Sequence, residues 1–141
     1  MLQEAKRPAT AMRRRALFDD AARIIDEEYA GRVQLDDIAR RVVTSRRQLQ
    51  RAFAEAGETS FRSYLQRVRM ERAAELLREG SSPVNQVASA VGYRQPAQFA
   101  KAFRRHHGAP PSSFRGIGPQ PLAAERPAAL VRQRQSGSPE G

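Results

Sequence analysis

Residues 45–53, Ser-Arg-Arg-Gln-Leu-Gln-Arg-Ala-Phe, hold the densest set of side chains suited to recognising another molecule. If Leu49 and Phe53 form the apolar stripe of a helix, then Arg46, Arg47, Gln50 and Arg51 are left on its polar side. Arginine bonds guanine through two parallel hydrogen bonds, and glutamine does the same with adenine. Arg47 and Gln50 fall on the arc that would face a groove, with Arg51 beside them, so these three are candidate base readers. Arg46 suits a phosphate oxygen. A second set surrounds the segment that starts at Gln95-Pro96. There Gln98 and Lys101 are the candidate base readers, with Gln95 and Ala97 near the groove. Arg94, Arg104 and Arg105 suit phosphates, which position a protein on DNA without specifying sequence. Taken singly, each of these side chains is equally consistent with a solvated surface group.

The charge balance supports a polyanion as partner. The chain has 141 residues and a formal charge of +10, and 23 of its 25 cations are arginine. Arginine's planar fork matches phosphate and guanine. Residues 19–37 hold seven acids and two arginines, residues 38–54 five arginines and no acid, and residues 80–120 five cations and no acid. Basic patches with a counter-charged region elsewhere fit a nucleic-acid-binding face.

Other chemistries find little footing. There is no cysteine, which excludes a disulfide framework, a cysteine nucleophile and thiolate zinc sites. His106 and His107 are adjacent, so they point to different sides of a helix; a helix C-terminus or a phosphate suits them better than a metal. Asp26-Glu27-Glu28 and Asp36-Asp37 lack a calcium-loop pattern and read as a solvated acidic face, with contact to RNA polymerase as the alternative. No nucleophile–base pair or glycine-rich phosphate loop is present, so no enzyme and no cofactor is expected. No apolar run is long enough to span a bilayer, and Met1–Phe18 has no apolar signal region. A soluble cytosolic protein is expected.

The elements that must position these residues are all helical. Leu17, Ala21, Ile24, Ile25 and Tyr29 recur at helical period, and Gly31 can end that helix. A short helix from Leu35 carries Ile38, Ala39 and Val42. Ser45 caps the next, with Gln48 at capping-box spacing and Gly57 after its end. A long helix runs from about Ser60 to Glu79 and stops at Gly80. Ser82-Pro83 reads as a cap and first helical residue, followed by Val84, Val87, Ala88 and Val91. Phe99 and Phe103 stripe a further helix, and a last turn covers Pro111 to Arg115. Residues 1–14 lack sustained periodicity, and residues 117–141 are rich in proline and poor in large apolar groups; both are expected to be disordered tails.

The core also repeats itself. Ile38-Ala39 and Val42 match Val87-Ala88 and Val91 at an offset of 49, and Leu49, Phe53 and Tyr64 match Phe99, Phe103 and Phe114 at an offset of 50. Each unit is a short helix with an alanine, a tight turn, and a helix with an apolar i, i+4 pair. That is the helix-turn-helix pattern. A stacked helical array would need at least three such units.

From Ala16 to Gly116 the sequence resembles the DNA-binding domain of the AraC/XylS family of bacterial transcription regulators. The resemblance rests on Ile38-Ala39, Ser45, Leu49, Arg51 and Phe53 in the first unit. In the linker it rests on Ser60-Phe61, Tyr64-Leu65, Arg69-Met70 and Ala73–Leu77. In the second unit it rests on Val87-Ala88, Val91-Gly92-Tyr93, Phe99, Phe103, Gly108, Pro111 and Phe114-Arg115. Val43 departs from the pattern where a small residue or glycine is common, Gly57 comes one residue early, Gln95 is a weak cap, and Pro96, Ala97 and Ala100 replace polar residues.

The expected architecture is all-α, about seven helices, with two homeodomain-like helix-turn-helix subdomains. These would span about 35–56 and 83–107, joined by a linker helix over about 60–79, within a domain of 15–116. The resemblance implies a small stand-alone regulator without an effector domain, an activator whose action follows its abundance, located at the bacterial nucleoid. A linker helix of about 30 Å approaches one DNA turn of about 34 Å. A monomer is therefore expected to read two successive major-groove segments of an asymmetric site. The competing readings are a nucleoid or RNA binder without sequence preference, and an interaction module that antagonises a larger regulator.

Overall fold

Segments of helical period alternate with glycine, proline and serine, and each such segment forms a helix. The computed structural model describes residues 8–116. Among them are α1 (Pro8–Glu28), α2 (Leu35–Arg41), α3 (Arg46–Ala56), α4 (Phe61–Glu79), α5 (Val84–Ala90) and α6 (Pro96–His107), followed by a 3-10 turn at Pro111–Phe114. No strand occurs among the described residues, so the fold is all-α, as the periodicity predicts.

Two hydrophobic cores form, and α4 serves both. The first gathers Ile25, Ile38, Leu49 and Phe53 from α1–α3, with Phe61, Tyr64 and Val68 of α4 packed against it. The second gathers Met70, Ala73 and Leu77 of α4 with Val87, Phe99 and Phe103 of α5 and α6. The two alanines that the repeat aligns, Ala39 and Ala88, are both buried where α2 and α5 meet their partners. Phe53 sits at the centre of an edge-to-face aromatic group, 5.2 Å from Phe18 and 6.1 Å from Phe61 between ring centroids. Such pairs add to simple area burial.

Two local expectations change. Helix α1 begins at Pro8, within the stretch expected to be a tail over residues 1–14. Pro8 occupies a first helical position, where a missing N–H costs nothing. The following Ala-Thr-Ala-Met-Arg-Arg-Arg-Ala run is rich in strong helix formers, and Arg14 pairs with Glu55 of α3. The remaining tail residues, 1–7 and 117–141, lie outside the described residues. Pro83 is the N-cap of α5 rather than its first residue: its backbone is extended (φ −68°, ψ 160°) and its carbonyl accepts from the Val87 amide.

Gly57 ends α3 in a right-handed conformation, and it is Glu58 that turns left-handed (φ 55°). Gly57 is needed for space instead. A Cβ there would lie 2.5 Å from Cε1 of Phe18.

Candidate nucleic-acid interface

The recognition helices α3 and α6 are set by two turns of the same design. In the first, the Thr44 amide donates to the Ala39 carbonyl at 2.8 Å, across a left-handed Val43 (φ 60°). In the second, the Tyr93 amide donates to the Ala88 carbonyl at 2.9 Å, across a left-handed Gly92 (φ 100°). The residue that the second unit inserts is Arg94, between this turn and the cap. The caps differ. Ser45 Oγ accepts from the Gln48 amide at 3.1 Å, while Gln95 makes no side-chain cap bond and Pro96 starts the helix.

On α3 the apolar face is fully engaged by Leu49, Ala52 and Phe53, and Arg47, Gln48, Gln50 and Arg51 are exposed. No ion pair holds Arg47 or Arg51 among the described residues. Arg46 is different: its Nη1 donates to Asp36 Oδ1 of α2 at 2.9 Å. On α6, Phe99, Ala102 and Phe103 are buried, and Gln95, Ala97, Gln98, Lys101, Arg104 and Arg105 are exposed, as is Arg94 just before it. None of those four cations is ion-paired among the described residues. The candidate readers thus gather on two separate solvent-facing helix surfaces.

Acids of α1 and α2 brace the first head. Glu28 accepts from both terminal nitrogens of Arg41, at 2.8 and 2.6 Å. Those hydrogen bonds hold the Glu28 carboxyl below the usual carboxylate range and raise the Arg41 guanidinium. Arg40 pairs with Asp37 at 3.0 Å, and the Tyr64 hydroxyl reaches Asp26 at 3.4 Å. The clusters Asp26-Glu27-Glu28 and Asp36-Asp37 are therefore largely used within the fold.

Sequence reasoning missed two residues. Gln48 is exposed and matches Gln98 at the repeat offset, a signal that was available. Arg62 is exposed at the start of α4 and lines, with Gln34, Asp36, Arg46, Gln50 and Ser60, a groove beside the α3 face. Only the tertiary fold brings it there. His107 takes a packing role: Nε2 lies 2.9 Å from the Met70 carbonyl of α4, and the ring sits 4.4 Å from that of Phe103. Among the described residues, no three His, Asp or Glu side chains are grouped to hold a metal ion. Nor is any described helix long and apolar enough to cross a membrane.

Two helix-turn-helix units on one linker helix, with cationic outer faces, define a tandem DNA-binding architecture. Residues 38–117 match a helix-turn-helix domain family. The fold is similar to an AraC-type DNA-binding-domain transcriptional regulator from Chromobacterium violaceum, with 29% identity, a TM-score of 0.70, and coverage of 76% of this chain and 96% of that one. It is also similar to the C-terminal domain of AraT, a response regulator from Geobacillus stearothermophilus, with 25% identity, a TM-score of 0.67, and coverage of 84% and 93%. The Msm operon regulatory protein of Streptococcus mutans is 30% identical over 72% of this chain, which spans 36% of that protein's length. The uncharacterized regulator YijO of Escherichia coli is 33% identical over 75% of this chain, which spans 38% of it. The chain belongs to the AraC-type helix-turn-helix family, whose fold is that of DNA-binding transcription regulators.

Proposed function

We propose that this protein is a sequence-specific transcription regulator that binds DNA as a monomer, with α3 and α6 in successive major grooves of an asymmetric site. The observation that carries the reading is the pair of unlike, solvent-facing polar helix surfaces presented by matched turns on one connecting helix. The 19 residues of α4 give a rod of about 28 Å, close to the 34 Å of one duplex turn. Arg47, Gln50 and Arg51 read bases in one segment, and Gln98 and Lys101 in the other. Arg94, Gln95, Arg104 and Arg105 support the second head on the backbone, and Arg46 does so for the first once it exchanges Asp36 for a phosphate. Because α3 and α6 differ at nearly every polar position, the two halves of the site differ as well.

Selection of bound duplexes from a random DNA pool tests this. The expected product is one site of about two helical turns with two dissimilar boxes, bound one chain per duplex. Arg47→Ala with Gln50→Ala should then relax preference in one box and leave the other intact. Binding with a steep salt dependence and no enriched sequence would instead establish the non-specific binder. Absence of DNA binding would favour the interaction module.

A further inference from the structure

We propose that Arg69 is a positioning residue that locks the two heads at one mutual setting and so fixes the spacing of the two DNA segments. This inference rests on the two-segment reading above. Arg69 sits midway along α4 and reaches back to the end of α1. Its Nε donates to the Tyr29 carbonyl at 2.8 Å and its Nη2 to the Gly31 carbonyl at 3.0 Å. These carbonyls belong to the turn just after α1, the helix that anchors the first head, and a cation there lies near the negative end of that helix. The same guanidinium also borders the second head. Its Cζ lies 6.0 Å from the ring centroid of Tyr93. A Cβ on Gly92 would stand 3.1 Å from Arg69 Cζ and Nη2 and 3.2 Å from the Ala30 carbonyl oxygen.

The turn that aims α6 therefore rests directly on the first head, with the guanidinium wedged alongside. The arrangement uses what is particular to arginine: a planar fork for two carbonyls and a flat face for an aromatic ring. No carboxylate pairs with Arg69 among the described residues, so the group is held for its shape and donors. Among the described residues, the two hydrophobic cores share only the half-buried Tyr29. A helix alone would let them twist about α4, and Arg69 is the polar joint that opposes it.

One base pair changes the setting of a second DNA segment by about 3.4 Å along the axis and about 35° around it. Locked heads should lose about tenfold or more in affinity when a base pair is inserted or removed between the two boxes, because the tethered second head no longer meets its segment. The test uses full-length chain and the duplex selected from the random pool, versions with one base pair inserted or deleted between boxes, and versions with one box scrambled. Arg69→Met should cut the spacing discrimination to about threefold or less while affinity for each single-box duplex stays within about twofold. Arg69→Lys, which keeps the charge but not the fork, should show the same loosening in smaller measure and serves if the first variant does not fold. Unchanged spacing discrimination in either folded variant would overturn the proposal. So would a parallel loss on every duplex, which marks a fold defect. Wild-type chain that tolerates any spacing would overturn the proposal as well, whereas a scrambled box that costs no affinity would refute the two-segment reading itself.

Discussion

Val43 offers a direct measure of how far one residue departs from what its turn demands. It is β-branched, left-handed at φ 60°, and 88% exposed. A β-branched side chain in that region costs about 1–3 kcal/mol. Because the side chain projects into solvent, its removal forfeits almost no packing. Val43→Gly relieves the strain and adds about 0.4–1 kcal/mol of unfolded-state entropy against folding. The net expectation is about 1 kcal/mol of added stability, which raises the midpoint of a domain this size by about 4 °C. Thermal unfolding followed by circular dichroism reads the shift. Val43→Ala, which keeps a Cβ at positive φ, should recover less than half of it. The equivalent change in the other turn runs the opposite way: Gly92→Ala adds a side chain at φ 100° against Arg69 and the Ala30 carbonyl. A Val43→Gly variant no more stable than wild type would refute the strain argument.

Gly57→Ala should destabilise by about 1–3 kcal/mol, because the added Cβ falls 2.5 Å from the Phe18 ring; urea unfolding would show it, and a neutral outcome would mean that the aromatic group repacks freely. Burial pushes the Tyr93 hydroxyl above its ordinary value, so its contribution to stability is full below about pH 10 and is lost as pH rises through the folded-state value. Tyr93→Phe should flatten the alkaline loss in denaturant titrations between pH 8 and about 11.5. Arg104→Ala with Arg105→Ala should weaken binding evenly across sequences and lower the salt slope by about 2, measured by fluorescence anisotropy at several salt concentrations.

What could be read in the sequence was what short-range patterns encode. Apolar spacing located every helix core, Ser45 announced its cap, and the 49- and 50-residue offsets exposed the duplication. The departure at Val43 was visible too, since only its alignment with Gly92 was needed to see that a β-branched residue stands in a left-handed turn. The start of α1 was missed because periodicity was the test and the run from Ala9 to Ala16 is helical by propensity. Gly57 was legible as the end of α3, but the close approach of Phe18 that requires a glycine there was not, because it depends on a residue of another helix. The partners of Arg46 and Arg69 lie 10 and 38–40 residues away. Neither separation is a helical repeat, so no local pattern announces them.

The same geometry explains why the two heads should not contribute alike. The first is braced by Arg46–Asp36, Arg41–Glu28 and Arg40–Asp37. It also presents Arg47, Gln50 and Arg51 from a helix with a side-chain cap. At the positions matching Arg47 and Gln50, the second head has Ala97 and Ala100, which offer no side-chain donor to a base edge. Beside the base readers Gln98 and Lys101 it has Arg94, Arg104 and Arg105, in a stretch over residues 80–120 that contains no acid. Cations without acidic neighbours lose nothing on meeting a phosphate, while Arg46 must first give up Asp36. On the proposed reading, the second head would therefore add more backbone grip to the base contacts of Gln98 and Lys101, while the first would concentrate on bases. A rigid joint between them makes this division useful, because a firm grip by one head then fixes where the other reads.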